Sequence, residues 1–259
     1  MLVLILYLQR IQKYVYLFLS IMKRALIFLF ILPVLLRTIL MGQSLLDDKI
    51  TFYEVTPKNL SFHWKDSQGQ LYKSFSRLKK ILEADKKDLV FAMNGGMYLK
   101  DRTPQGLYIE KGQLLHKKDS RKKGFGNFYL QPNGVFYITK DSIGTVSKSS
   151  DLTSYDHIYY ATQSGPMLLI DGKVHPAFTK GSKNLNIRNG VGILPTGHVL
   201  FAISKVKINF YDFATFFKSK GCHNALYLDG YVSKMFLPQK KWIQLGGSFG
   251  VIITQITDK

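Results

Sequence analysis

Past residue 44 the apolar residues come in short runs broken by Gly, Pro, Asn and Asp, the pattern of β-strands joined by tight turns. GLYIEKGQLLH turns at Lys111-Gly112, and FYLQPNGVFYIT at Pro132-Asn133-Gly134. MLLIDGKVHP turns at Asp171-Gly172, and GILPTGHVLFAIS at Pro195-Thr196-Gly197. Each is expected to be a hairpin, because the favoured turns need positive φ, which Gly, Asn and Asp tolerate. Helical spacing is rarer. SFSRLKKILEADKK (74–87) places Phe75, Leu78, Ile81 and Leu82 on one face. DFATFFKSKG (212–221) offers Asp212 as N-cap, a basic last turn and a closing Gly. The expected fold is α+β: a single domain over 45–259 with a mixed or mainly antiparallel sheet, several hairpins and two or three flanking helices.

Positions 1–44 follow a different pattern. They contain no Asp or Glu, and MKRALIFLFILPVLL (22–36) has a basic start followed by an apolar run broken only by Pro33. That is the layout of a secretory signal peptide, of h-region length and short for a spanning helix. Residues 1–21 read as an upstream extension, with Met22 as a second candidate start. The expectation is export, to the periplasm or the medium, with residues 22–41 serving as a membrane anchor if they are not cleaved. No Cys follows the apolar run, which excludes a lipid-modified N-terminal cysteine.

Without the five basic residues of 1–44, positions 45–259 still carry 31 basic and 17 acidic residues, a formal charge of +14. Such a surface favours anionic partners, although runs such as LHKKDSRKK (115–123) also read as a solubilising face. Cys222 is the single cysteine, so no internal disulfide or cysteine metal site is available, and it reads as a small buried filler. The six histidines form no short ligand pattern; His157, His175 and His198 read as surface residues of turns and strand ends. Neither a metal nor a cofactor is expected.

Four segments share one shape, an apolar strand ending in small polar residues beside Gly: FAMNGGMY (91–98), ATQSGPMLL (161–169), NIRNGVGI (186–193) and ALYLDGYVS (225–233). Glycines there let a ligand approach the backbone, while Asn94, Ser164, Arg188 and Asp229 supply donors, a cation and an acid. No G-x-S-x-G elbow surrounds Ser164, so serine hydrolysis is not indicated. A site built on Asp229 and Arg188 suits an anionic, hydroxyl-rich substrate such as a sugar phosphate. Lys205 is a second candidate cation, read first as a solvated strand-end residue.

The order NGGMY, TPQGLYIEKG, FYLQPNGVFYI, ATQSGPMLLIDGK, IRNGVGILPTGHVLFAIS, ALYLDG resembles the phosphodiester glycosidase family, from about residue 90 to the end and more loosely from residue 50. It looks closest to the bacterial branch with an export signal. The resemblance implies hydrolysis of a sugar-1-phosphodiester, releasing a sugar such as N-acetylglucosamine. It carries over to Asn94, Gly95, Ser164, Gly165, Arg188, Asp229 and Gly230. Phosphate leaves more readily than a sugar alkoxide, so one carboxylate and a cationic clamp would suffice where ordinary glycosidases need two acids. Arg188 is the expected phosphate clamp, with the Gly95 and Gly165 N–H groups as added charge stabilisers. Asp229 would act at the anomeric centre; Asn94, Ser164 and Ser233 would orient hydroxyls or phosphate oxygens. The family reads Leu-Asp-Gly-Gly where this chain has Tyr231 and Val232 after Gly230, a departure that bears on selectivity. The rival expectation is a non-catalytic envelope protein that binds phosphorylated glycans or cell-wall polymers. Expected partners are a phosphorylated glycan or sugar phosphodiester, and a membrane through the N-terminal segment. Nucleic acid is not expected, and the chain is expected to be a monomer.

Overall fold

The computed structural model describes residues 13, 14, 16, 19, 22, 23, 46–229 and 232–259. The chain divides into Met1–Leu46 and Asp47–Lys259, and the sheets belong to the second unit. The expected leader and anchor in 1–44 lie almost entirely outside the described residues, as do Gly230 and Tyr231. Among the described residues no helix is long and apolar enough to cross a membrane.

Three sheets make up the domain, and the pairings within all three are antiparallel. In the first, β1 (Ile50–Val55), β12 (Val199–Ser204), β11 (Asn189–Ile193), β13 (Ala225–Asp229), β9 (Met167–Ile170) and β10 (Lys173–Val174) follow one another in that spatial order. The second runs β15 (Trp242–Ile243), β14 (Met235–Leu237), β3 (Lys87–Asn94), β16 (Ile252–Asp258), β2 (Leu60–His63). The third runs β5 (Gln113–His116), β4 (Tyr108–Glu110), β8 (Ile158–Ser164), β6 (Gly134–Thr139), β7 (Gly144–Lys148). Their inner faces share one core, in which Phe62, Phe91, Phe136, Phe201 and Leu226 are all fully buried. Every residue of β13 is buried, which is why ALYLD reads as a continuous apolar run rather than an alternation.

Two α-helices flank the sheets among the described residues. The domain is therefore largely β, with less helix than an α+β label suggests. Helix α1 (Phe75–Ala84) buries Phe75, Leu78 and Leu82 against β3 and β16 neighbours, and Ser74 caps it by accepting from the Arg77 N–H at 3.2 Å. It ends three residues short of the expected limit, at Ala84; Lys86 then takes a positive φ and β3 begins at Lys87. Helix α2 (Phe210–Ser219) starts earlier than its pattern suggested. Asn209, not Asp212, is the N-cap: it accepts from the Asp212 N–H at 2.8 Å and donates to the Asp212 carboxylate at 2.8 Å. This reciprocal pair acts as a capping box, with the acid at the third helical position.

Three expected hairpins form, β4–β5 around Lys111-Gly112, β9–β10 around Asp171-Gly172 and β11–β12 around Pro195-Thr196-Gly197. The one at Pro132-Asn133-Gly134 does not. A 3-10 turn, Asn127–Tyr129, precedes it, and β6 begins at Gly134 to pair with β7 and β8. Asn133 is buried instead, donating to Phe128 O at 3.2 Å and accepting from the Ser149 hydroxyl, so its polarity serves the interior. His175 is also no surface residue: it is 2% exposed, stacks on Phe178 and places Nε2 3.0 Å from Gln131 O. Cys222 is buried, and burial pushes its thiol up to about 12.

Candidate active site at the strand ends

The four polar strand ends meet. Antiparallel pairing sets Asn189, the first residue of β11, opposite Asp229, the last of β13. Asn94 ends β3 in the second sheet and Ser164 ends β8 in the third, so one corner joins termini from all three sheets.

Asn189 braces that corner. Its Nδ2 donates to Asn94 O and Oδ1, each at 3.0 Å, and its Oδ1 accepts from the Asp229 N–H at 2.8 Å. Asn94 Oδ1 also accepts from the Lys234 N–H at 2.8 Å. With two donors on that oxygen, the Asn94 amide must turn its Nδ2 the other way, where it donates to Asp229 Oδ2 at 3.2 Å. The carboxylate is thus aimed by an amide whose own orientation is fixed. Ser233 Oγ reaches Ile187 O at 3.2 Å, Asn189 Oδ1 at 3.3 Å and Asp229 O, pinning the chain on the far side of the turn. Ser164 Oγ donates to Leu228 O at 2.7 Å and ties the third sheet to β13.

Asp229, 6% exposed, lines a cavity of ≈ 260 Å³ with Met97, Tyr98, Gln105, Asn127 and Val232, and with Phe125 fully exposed on its rim. Burial first, and then the negative charge of Asp229, push the Tyr98 hydroxyl up to about 12, so it stays a proton donor at neutral pH. A larger cleft of ≈ 760 Å³ lies along His63, Asp66 and Glu110, but Asp229 does not line it. The smaller cavity is the better candidate because it brings solvent to a carboxylate that is otherwise inside the protein.

Of the other expected site residues, none among those described lines this cavity. Asn94, Ser164 and Ser233 are buried members of the network that holds Asp229. The Gly95 N–H is used, donating to Val251 O at 2.8 Å, and a Cβ there would come 2.9 Å from the Val251 side chain. At Gly165 a Cβ would meet Asn133 Cβ at 2.7 Å and Phe128 O at 2.9 Å, so that glycine is required by close packing. Lys205 is exposed.

Arg188 is 0% exposed. Its Nε donates to Ile208 O at 2.8 Å, and one terminal nitrogen donates to Asn184 O at 2.9 Å and Asn184 Oδ1 at 3.1 Å. The other donates to Tyr227 Oη at 3.3 Å. The guanidinium carbon sits 3.6 Å over the Phe210 ring. Burial lowers its pKa, and Tyr227 works in the opposite direction. Tyr227 also meets the side chain of Asn127, which lines the cavity, so the cation stands two hydrogen bonds behind the cavity wall.

Asn189, Tyr98, Gln105 and Asn127 were not picked out by the sequence. Asn189 and Tyr98 lie inside two of the polar strand-end segments, where Arg188 and the Asn-Gly-Gly turn are the stronger signals; Gln105 lies in a loop and Asn127 in a short 3-10 turn, neither with a pattern of its own.

The phosphodiester glycosidase family profile matches residues 87–247. A protein of Escherichia coli (strain K12), YigE, itself uncharacterized, is 37% identical over 188 residues, which is 71% of this chain and 73% of that protein. Among solved structures, the catalytic domain of zebrafish N-acetylglucosamine-1-phosphodiester alpha-N-acetylglucosaminidase, auto-inhibited by its pro-peptide, is similar with a TM-score of 0.53. Its identity is 16%, over 80% of this chain and 81% of that one. A protein from Burkholderia pseudomallei K96243 is similar with a TM-score of 0.51 and 10% identity, over 79% of this chain and 73% of that one. At these identities the two structures speak for the fold.

Proposed function

This chain belongs to the phosphodiester glycosidase family, and from that premise we propose that it hydrolyses the glycosidic bond of a sugar-1-phosphodiester, with a sugar of the N-acetylglucosamine type in the Asp229 cavity. The observation that carries the reading is Asp229 itself, a nearly buried carboxylate held by Asn94 and Asn189 at the wall of that cavity. A volume of ≈ 260 Å³ falls just under the range of drug-sized pockets, roughly 300 Å³ and up, and so suits one sugar ring rather than a chain.

In the proposed reaction the C1–O bond breaks and its electron pair leaves on the phosphate oxygen. Asp229 acts at C1, either by taking a proton from water as the water oxygen bonds to C1, or by bonding to C1 itself to give an ester that water then cleaves, freeing the sugar and the carboxyl group. The phosphate is a stable anion, so no second carboxylate is needed to protonate it. Tyr98, protonated and on the same cavity, is available to donate to a substrate oxygen. Arg188 supports this wall from behind through Tyr227 and Asn127 rather than gripping the phosphate. Val232 lines the cavity, and its branched side chain narrows the choice of sugar. Export through residues 22–41 belongs to the same proposal, with the substrate in exported glycans; cell fractionation tests it.

The test is sugar release from N-acetylglucosamine-1-phosphomethyl diester by the full chain and by Asp229→Asn. Loss of about 10²–10⁴ in kcat with an unchanged melting temperature is expected. Wild-type turnover by the folded variant removes Asp229 from the chemistry. Tight binding of the diester without any release makes the protein a glycan-binding one.

A further inference from the structure

We propose that a second groove, adjoining the Asp229 cavity, binds negative charge carried by the leaving group beyond the scissile phosphate; this rests on the glycosidase reading above. The groove has a volume of ≈ 590 Å³ and is lined by His116, Lys117, Lys118 and Arg121 among others. Gln105 lines both it and the Asp229 cavity, so the two spaces share that residue. The Gln105 N–H is bonded to Met97 O at 2.8 Å, which ties this shared wall to the floor of the catalytic cavity.

The charge inside the groove is not balanced. Arg121 is paired with Asp119 through Nε and a terminal nitrogen, at 2.6 Å for the shortest contact, and Asp119 is held down to about 2 first by that pairing. Those two cancel. Lys118 Nζ is pinned by Ser149 O at 3.0 Å and Leu152 O at 2.7 Å, two neutral acceptors, and makes no ion pair with a carboxylate among the described residues. Lys117, next to it, is exposed and likewise has no carboxylate partner among the described residues. Two cations on one wall therefore make no ion pair among the described residues, the adjacent Asp119 being taken up by Arg121, and one of them is fixed in place.

The loop bearing them, just after β5, is tied down too. Buried Gln163, at 1% exposure, accepts from the Leu107 N–H at 2.9 Å and the Asp119 N–H at 3.0 Å through Oε1 and donates to Asp119 O at 2.8 Å through Nε2. A buried amide that clamps residues 107 and 119 together gives the groove a preformed wall, which lowers the ordering cost of binding. A fixed, uncompensated ammonium beside a sugar-sized cavity matches a phosphate or carboxylate placed a few bonds beyond the glycosidic oxygen.

Two measurements on the full chain decide it. The first compares hydrolysis of two diesters of one sugar, one with a methyl leaving group and one whose leaving group carries a second phosphate. Wild type should prefer the second at least tenfold in kcat/KM, and Lys117→Glu and Lys118→Met should each lower that preference at least fivefold. The second titrates inorganic pyrophosphate calorimetrically, with binding expected for wild type and weakened at least fivefold in both variants. Lys117→Glu changes an exposed side chain and so keeps the test open if Lys118→Met fails to fold. Equal preference and equal pyrophosphate binding in wild type and Lys117→Glu overturn the groove. No sugar release from either diester, with pyrophosphate binding lost in the variants, overturns the glycosidase reading and leaves the anion site standing.

Discussion

Arg188 and Asp229 lie at the same end of the first sheet, one just before β11 and the other closing β13, with Asn189 and Asp229 in register between them. Their surroundings differ. The guanidinium has Ile208 O, Asn184 and Tyr227 as acceptors and Phe210 as a platform, so the protein meets nearly all of its donors. The carboxylate accepts from the Asn94 amide and also borders a cavity. A buried charge whose bonds are made by the interior serves the fold; one that stands at a cavity wall can also act on a ligand. On the proposed reading, the two charges divide support and chemistry between them.

Removing Arg188 tests this division most severely. Arg188→Met takes one donor each from Ile208 O, Asn184 O and the Tyr227 hydroxyl and empties the space over Phe210 inside the core, and should cost about 3–5 kcal/mol. That corresponds to a melting temperature lower by about 10 °C in scanning calorimetry. A variant that melts with wild type but has lost turnover would put Arg188 in the reaction and erase the contrast with Asp229.

Asn189→Ala attacks the brace shared by both corners. The Asp229 N–H loses its partner and Asn94 Oδ1 keeps only the Lys234 N–H, at a cost of about 2–3 kcal/mol by chemical denaturation, and turnover should fall because Asn94 is held less firmly. Tyr98→Phe leaves the packing intact and removes only the hydroxyl. It should lower kcat about 10–100-fold without shifting the denaturation midpoint. Since Tyr98 titrates near 12, wild-type activity should show no loss from this group between pH 8 and 10.

The smallest effect lies on β2, two strands across the second sheet from Asn94. The His63 imidazole is pushed down to about 4, by burial first and then by Lys111 and Lys87, and its Nε2 is 3.0 Å from Ser61 Oγ and Thr254 Oγ1. Between the ordinary value near 6.5 and about 4 the unfolded chain takes up a proton that the folded protein refuses. Stability is therefore complete above pH 6.5 and falls as the pH drops toward 4, by about 1–2 kcal/mol for this partly buried group. Denaturant midpoints at pH 7 and 4.5 should differ less in His63→Gln than in wild type.

The chain's own pattern is enough for the strands that end in Asn94, Ser164 and Asp229, three of the four hairpins, the two helices and the family, since alternation, turn residues and ordered motifs are local features. At FYLQPNGVFYIT the same local logic failed, because Asn133 turned its side chain inward to Phe128 and Ser149. It failed again at α2, where Asn209 rather than Asp212 made the cap. Which polar strand-end residues face solvent, and which face one another, was settled by packing alone. Asn94, Ser164, Arg188 and Asp229 look alike along the chain, each a polar residue at the margin of an apolar run. Three-sheet packing turned the first three inward to satisfy buried donors and acceptors, and left Asp229 on the cavity with Tyr98 and Gln105, whose place beside it no local feature announces.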